Sequence, residues 1–295
     1  MIYVSSACFE NTNIARIIQQ FAEHGISSIE LSGGTDFYEG IEQDLIRLKE
    51  LYRLTYACHA YFPPPRVPFV VNLASCNDRI YEQSLEHYRN CIEMLKRIRC
   101  GVLSVHAGFL VEIGVDEIGK RLNDSIVYDE DRAYDRFCSA YEEINRLCSA
   151  NGIALYLENN VLSRENYEAF GKHDYMMMTD HASIMKMKKQ MDFQLLLDLG
   201  HLHVSSHTLG LEYERECALL KEDVRWIHVS ENNGAVDEHK PLRKGSSIMQ
   251  TFSGMYRPDI NVTLETAGDI REIIESMELI ENYTTEGSDH ANESR

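Results

Sequence analysis

Glu158, Asp198, His228 and Glu265 each stand at or near the end of a short, strand-like apolar run. The runs cover 153–157, 193–197, 226–227 and 260–264. Metal-type side chains from four separate strands can meet only where the strand ends converge. In a parallel barrel they converge at the C-terminal mouth, where enzymes of this architecture keep their active sites. The pattern therefore reads as a divalent-metal site in an α/β protein, a (β/α)8 barrel.

Five further groups fall on or just after strand-like runs: His59, His106, His201, Asp237 and His239. A single histidine after a strand is more often a hydrogen-bonded structural residue than a ligand. His24, His87, His173 and His290 read that way, and His203 and His207 read as surface or supporting groups. It is the joint placement of nine candidate residues on one face that points to chemistry. Carboxylate and imidazole ligands without thiolate suit Mn2+, Zn2+, Co2+ or Fe2+. A site of Glu158, Asp198, His228 and Glu265 with open positions would act as a Lewis acid on a carbonyl or phosphoryl oxygen. Glu158 and Glu265 could then move protons at the carbon beside a metal-bound carbonyl, as an aldose–ketose isomerase or a ketose epimerase requires. Alternatively, the clustered histidines and Asp237 could hold a second and third ion, which is equipment for phosphoester hydrolysis. The site would thus take one to three ions.

The elements that must position these groups alternate along the chain, which is the βαβ pattern. Strands are expected near 2–6, 27–32, 54–59, 101–106, 153–158, 194–199, 224–229 and 260–265. Helices are expected near 11–24, 40–52, 78–99, 131–151, 180–190, 210–221 and 268–281, with 241–256 ambiguous. The proline-rich stretch 61–66 follows a strand end and should line the mouth, as should the long connection 108–130. Residues 1–283 read as one barrel domain, and the polar stretch 284–295 reads as a disordered tail.

Composition narrows the function. A length of 295 residues suits one barrel, for which about 250 is typical. No run approaches the roughly 18 apolar residues that would span a membrane. The N-terminus enters a strand-like segment directly, without a basic leader, and eight cysteines without a CxxC pair read as reduced thiols. Both features suggest a cytoplasmic location. A net charge of -18 repels a polyanion at long range, which disfavours nucleic acid as partner, although a local basic rim could override it. Lys240, Arg243 and Lys244 form such a cluster. It either holds a sugar phosphate or is a solvated loop. Self-association into a homo-oligomer is compatible with this composition.

With these residues in view, the chain resembles the xylose isomerase-like TIM-barrel superfamily, which contains sugar isomerases, tagatose-type epimerases and endonuclease IV. The resemblance runs from Ile29-Glu30-Leu31-Ser32 to Thr263-Leu264-Glu265-Thr266. Its most specific part is Ile227-His228-Val229-Ser230-Glu231-Asn232-Asn233-Gly234 followed by Asp237-Glu238-His239-Lys240-Pro241-Leu242. This is similar to the H-x-x-D-N-x-G…D-E-H-x-P-L-G-x-G block of the sugar phosphate isomerase/epimerase group. Resemblance to the epimerases implies metal ligation by Glu158, Asp198, His228 and Glu265, with Glu158 and Glu265 as acid/base pair and His201 on the substrate. In such a single-metal site, His59, His106, Lys240 and Arg243 would also face substrate. Resemblance to endonuclease IV implies three zinc ions held by His59, His106, Glu158, Asp198, His201, His228, Asp237, His239 and Glu265. The stretch Val71-Asn72-Leu73-Ala74-Ser75 is also similar to that enzyme's Asn-Leu-Ala-Ser segment. The chain departs from the patterns in three places. Glu231 stands for the block's Asp, Arg243 for its first later Gly, and Ala107 for the Pro of endonuclease IV. The leading expectation is a metal-dependent isomerase or epimerase of a small sugar or sugar phosphate. The alternative is an endonuclease IV-like zinc phosphodiesterase, and a non-catalytic metal- or sugar-binding barrel ranks last.

Overall fold

Eight short parallel strands close a barrel in sequence order. They are β1 (Ile2–Ser5), β2 (Ser28–Leu31), β3 (Thr55–Cys58), β4 (Val102–His106), β5 (Ala154–Glu158), β6 (Gln194–Asp198), β7 (Val224–Val229) and β8 (Asn261–Leu264). Closure comes from β8 pairing back on β1, with Ile2 opposite Val262 and Val4 opposite Leu264. The structure is a computed structural model that describes residues 1–122 and 125–293. The helices are α1 (Ile14–Glu23), α2 (Ile41–Tyr52), α3 (Asp78–Arg97), α4 (Glu130–Ala150), α5 (Arg164–Ala169), α6 (His181–Gln190), α7 (Leu199–Leu209), α8 (Tyr213–Leu220), α9 (Ser247–Met255) and α10 (Ile270–Glu293). This is the expected (β/α)8 TIM barrel. Among the described residues no helix is long and apolar enough to cross a membrane.

Strand alternation sorts the side chains into two sets. Ile29, Leu31, Leu103, Val105, Leu155, Leu157, Ile227 and Val229 join the main core, where strands meet helices. The opposite set points into the barrel. Its floor is a separate cluster of Tyr3, Ala57, Leu196 and Trp226, packed by Val102 and Tyr156. The Trp226 ring lies 5.1 Å from Tyr3 and 5.2 Å from Tyr156, centroid to centroid. Two residues further along each strand lies the next inward position. From Ala57, Tyr156, Leu196 and Trp226 that step leads to His59, Glu158, Asp198 and His228. The filled apolar floor thus supports a polar layer at the mouth.

Three helices differ from the sequence reading. β6 turns into α7 without a loop, because the side chain of Asp198 caps α7 by accepting from His201 N at 2.6 Å. The short α5 was not expected, and α9 occupies the ambiguous stretch. Its cap is Ser246, which accepts from Met249 N at 3.2 Å. α10 continues to Glu293, so residues 284–293 are helical where the polar composition pointed to a disordered tail. Thr284 and Thr285 donate their hydroxyls to Glu281 O on the preceding turn. The last two residues of that expected tail lie outside the described residues, as do residues 123 and 124 of the 108–130 connection.

Candidate metal centre

Glu158 lies at the centre of the polar layer, fully buried at the end of β5. Its two oxygens face different groups. Oε2 lies 3.3 Å from His59 Nε2 and 3.6 Å from His106 Nδ1, and the two histidine Nε2 atoms are 3.1 Å apart. Oε1 lies 3.6 Å from His228 Nδ1, which is 3.4 Å from Glu265 Oε1. Asp198 completes this second group, whose ligand-type atoms all lie within 4.8 Å of one another. A third group stands beside them: Asp237 Oδ2 is 3.3 Å from His201 Nε2 and 2.9 Å from His239 Nε2. All nine sequence-predicted candidates are therefore brought to one mouth.

Most of these histidines are held by their second nitrogen. The ring nitrogens His201 Nδ1 and His239 Nδ1 lie 2.9 Å and 3.1 Å from the carbonyls of Asn159 and Glu265. A carbonyl only accepts, so those nitrogens carry hydrogen and each Nε2 is left to face Asp237. Ser104 Oγ donates to the Cys58 carbonyl at 3.4 Å and lies 2.7 Å from His59 Nδ1, which leaves Nε2 for the cluster. In β7, His228 donates Nε2–H to Glu30 Oε2 at 3.3 Å. Fixing one imidazole nitrogen so that the other is presented is how proteins orient metal-binding histidines.

Glu30 was not among the sequence candidates. It is 1 % exposed, on β2 between the outward Ile29 and Leu31, and it accepts from Thr263 Oγ1 at 3.0 Å. Thr263 in turn accepts from Trp226 Nε1 at 2.9 Å. The available signal was a carboxylate between two core residues on a strand of a closed barrel, which places it inside.

The site fits a metal on two observations. Ligand atoms about 2.0–2.1 Å from a tetrahedral zinc are about 3.3–3.4 Å apart, close to the contacts found within the first two groups. In addition, both Glu158 oxygens, Asp198 Oδ2, His228 Nδ1 and Asp237 Oδ1 are buried without a hydrogen bond. Buried polar atoms are nearly always paired, so a convergent set of unpaired ones fits a bound cation.

Charge is finely balanced here. Burial opposes ionisation of Glu158, but the facing His106, His59 and His228 outweigh it and hold the carboxyl well below its usual range. Burial likewise opposes ionisation of Glu265, which His228 and His59 hold down to about 2. For Asp198 burial wins over His201, and the carboxyl is pushed up to about 6. Burial disfavours charge on His201 and His228, yet Asp198 and Asp237 raise the first, and Glu30 and Glu265 raise the second. His239 is raised to about 9, against burial, by Asp237. His106 is pushed down to about 4, mainly by burial.

Lys240 and Arg243 are not brought into the cluster. Lys240 Nζ pairs with Glu238 at 2.5 Å, and Arg243 reaches Glu231 at 3.4 Å. Glu231 and Arg243, two departures from the family block, therefore contact each other. Glu231 also accepts from Ser246, the cap of α9, and pairs its backbone with Lys240. These residues close the loop that carries Asp237 and His239.

The family model described as xylose isomerase-like TIM barrel matches residues 18–283. An uncharacterized protein of Methanocaldococcus jannaschii is 22% identical over 289 residues, which is 95% of this chain and 88% of that one. Among solved structures, a D-tagatose 3-epimerase-like protein is 20% identical with a TM-score of 0.72, covering 98% of this chain and 99% of the other. Endonuclease IV from Thermus thermophilus is 15% identical with a TM-score of 0.58, covering 97% of this chain and 99% of the other. At these identities the structural likenesses establish the fold, and the chemistry rests on the site.

Proposed function

The chain belongs to the xylose isomerase-like TIM-barrel family, and from that premise we propose that it is a multinuclear, divalent-metal phosphodiesterase acting on small-molecule esters. One observation carries this reading. One further ligand group, His59/His106/Glu158, shares Glu158 with the Glu158/Asp198/His228/Glu265 group, and Asp237 with its contacts to His201 and His239 flanks them on the other side. A single-metal enzyme has no use for both flanking groups as ligands. Zn2+ or Mn2+ suits this donor set.

When bound, the ions would polarise a phosphoryl oxygen and lower the pKa of attacking water. The chain's own residues do the rest. Glu158 ties the first group to the second through its two oxygens. Asp198 is fixed by capping α7, so its free oxygen has one direction. Glu265, held ionised, lines the cavity at the mouth. The net charge of -18, and the pairing of Lys240 and Arg243 with acids, favour a small ester over nucleic acid.

Elemental analysis of protein purified without added metal tests the reading, together with hydrolysis of bis(p-nitrophenyl) phosphate. More than one ion per chain and metal-dependent hydrolysis are expected. A single ion, with no hydrolysis of any phosphodiester, sinks it.

The second reading is sugar isomerisation or epimerisation by proton transfer. It is favoured by one specific feature: Glu158 and Glu265 are both held ionised while facing the same His228 nitrogen. That pair could exchange a proton on either side of a bound ketose. Deuterium uptake from D2O at the carbon beside the carbonyl, across a sugar panel, is its signature.

A further inference from the structure

Two cavities meet at the histidines, sharing Tyr61, His106, His201 and His239. One, of about 290 Å3, is lined by His59, Glu265, Ser32, Gly33 and Gly34. It shares Ala7, Gly33, Gly34 and Ala267 with a wider cleft of about 810 Å3 beyond the ends of β1, β2 and β8. The other, of about 480 Å3, extends from His106, His201 and His239 past Asp237. Its walls include Val70, Phe109, Ile113, Val161, Met176 and Val236. The candidate metal centre thus sits in the middle of a cleft with two unlike arms.

The apolar arm is built before any ligand arrives. Val70, Phe109, Val111 and Leu122 form a cluster of their own, with Ile113 and Met176 packed on it, separate from the main core. Asn72 clamps Phe109 by donating Nδ2–H to its carbonyl at 2.8 Å and accepting from its N–H at 3.3 Å. Gly108 lets this segment lie close, since a Cβ there would meet Ala74 Cβ at 2.5 Å. Phe109 and Met176 pair as an isolated antiparallel bridge. At the entrance, Ile118 and Val236 remain 53% and 47% exposed. The charged lining of this arm away from the centre is Glu117, Lys120 and Glu165, which is no cationic rail for a phosphate chain.

We propose that this arm receives an uncharged, apolar substituent of the substrate, of the size of an aromatic ring or branched alkyl group. The reacting phosphoryl group would lie over the centre, and the second substituent would enter the small-residue arm. The cavity is within the usual range for small ligands, and its apolar wall stands beside the polar Asn160, Ser163 and Asn166. Selectivity would come from transfer of that substituent out of water. The proposal rests on the phosphodiesterase reading for the identity of the reacting group.

The test compares phenylphosphonate with methylphosphonate binding to the metal-loaded protein by calorimetry, in the wild type and in Ile118→Glu and Ile113→Glu. Ile118 is exposed, so its replacement leaves folding intact. Phenylphosphonate is expected to bind roughly 10-fold or more tightly than methylphosphonate. Both variants should lose most of that preference and keep methylphosphonate affinity. Equal affinities in the wild type, a preference untouched by both variants, or no binding of either phosphonate overturns the proposal. The hydrolysis assay is independent of this. A phenyl preference in a protein that cleaves no phosphodiester keeps the apolar arm and removes only the phosphodiesterase reading.

Discussion

His228 has two nitrogens, and Glu30 decides which one is left for the mouth. Glu30 accepts from Nε2–H through Oε2 at 3.3 Å, and Thr263 and Trp226 hold Glu30 in turn. Nδ1 then faces Glu158 and Glu265 with no hydrogen bond of its own. Removing the partner of a metal-binding histidine typically costs 10- to 100-fold in affinity. Glu30→Ala is therefore expected to weaken metal binding by roughly 10- to 100-fold, and Glu30→Gln, which keeps an acceptor, by less. Competition with a chelating dye measures both. Equal losses from Ala and Gln would point to a merely structural role. Nine of the groups at this mouth were legible in the sequence because each ends or follows an apolar run. Glu30 was not, because a carboxylate inside a strand reads as solvent-facing until closure of the barrel is known. Charge alone left Lys240 and Arg243 open between substrate contacts and a solvated loop. Their partners Glu238 and Glu231 lie close in the same loop, and the choice between a ligand and a neighbour is made by side-chain geometry.

The eight strands were legible as elements because β-branched and leucine-rich runs bounded by polar residues recur at regular spacing. α7 was not. Leu199, Leu202, Val204, Ser205, Ser206 and Thr208 are all buried, so the helix has no polar face to betray its period. The segment between α5 and α6 shows how such connections respond to pH. Asp174 accepts from Met176 N at 2.9 Å and from the Thr179 hydroxyl, and burial, outweighing those bonds, pushes it up to about 6 from 3.8. Between those values the folded protein binds a proton that the unfolded chain releases. The contribution of Asp174 to stability should therefore fall as pH rises from about 4 to about 6 and level off above. Asp174→Asn removes that fall. It is expected to exceed the wild type in stability at pH 8, by at most about 3 kcal/mol, and to match it near pH 4. Urea unfolding at the two pH values checks this, and a variant less stable than wild type at pH 8 contradicts it.

At the scale of the whole molecule, the mouth gathers like charges from elements far apart in sequence. Glu30, Glu158, Asp198, Asp237 and Glu265 come from β2, β5, β6, the loop after β7 and the end of β8. In a chain of net charge -18, their repulsion works against barrel closure at the C-terminal end. A divalent cation there offsets that repulsion and links the strand ends. Such a ligand stabilises only the folded chain, by about 2.7 kcal/mol when its free concentration is 100 times Kd. Zn2+ or Mn2+ is therefore expected to raise the Tm, and EDTA to lower it, by several degrees. The gain should shrink sharply in Glu158→Gln, because Glu158 serves two ligand groups, and much less in His239→Ala, which lies at the open edge of the third. Scanning calorimetry with buffered metal decides the matter. A Tm indifferent to both metal and EDTA, in a protein that elemental analysis shows to be loaded, would mean that the ions do not bind the strand ends together. The buried carboxylates would then have to be stabilised by histidine protons alone.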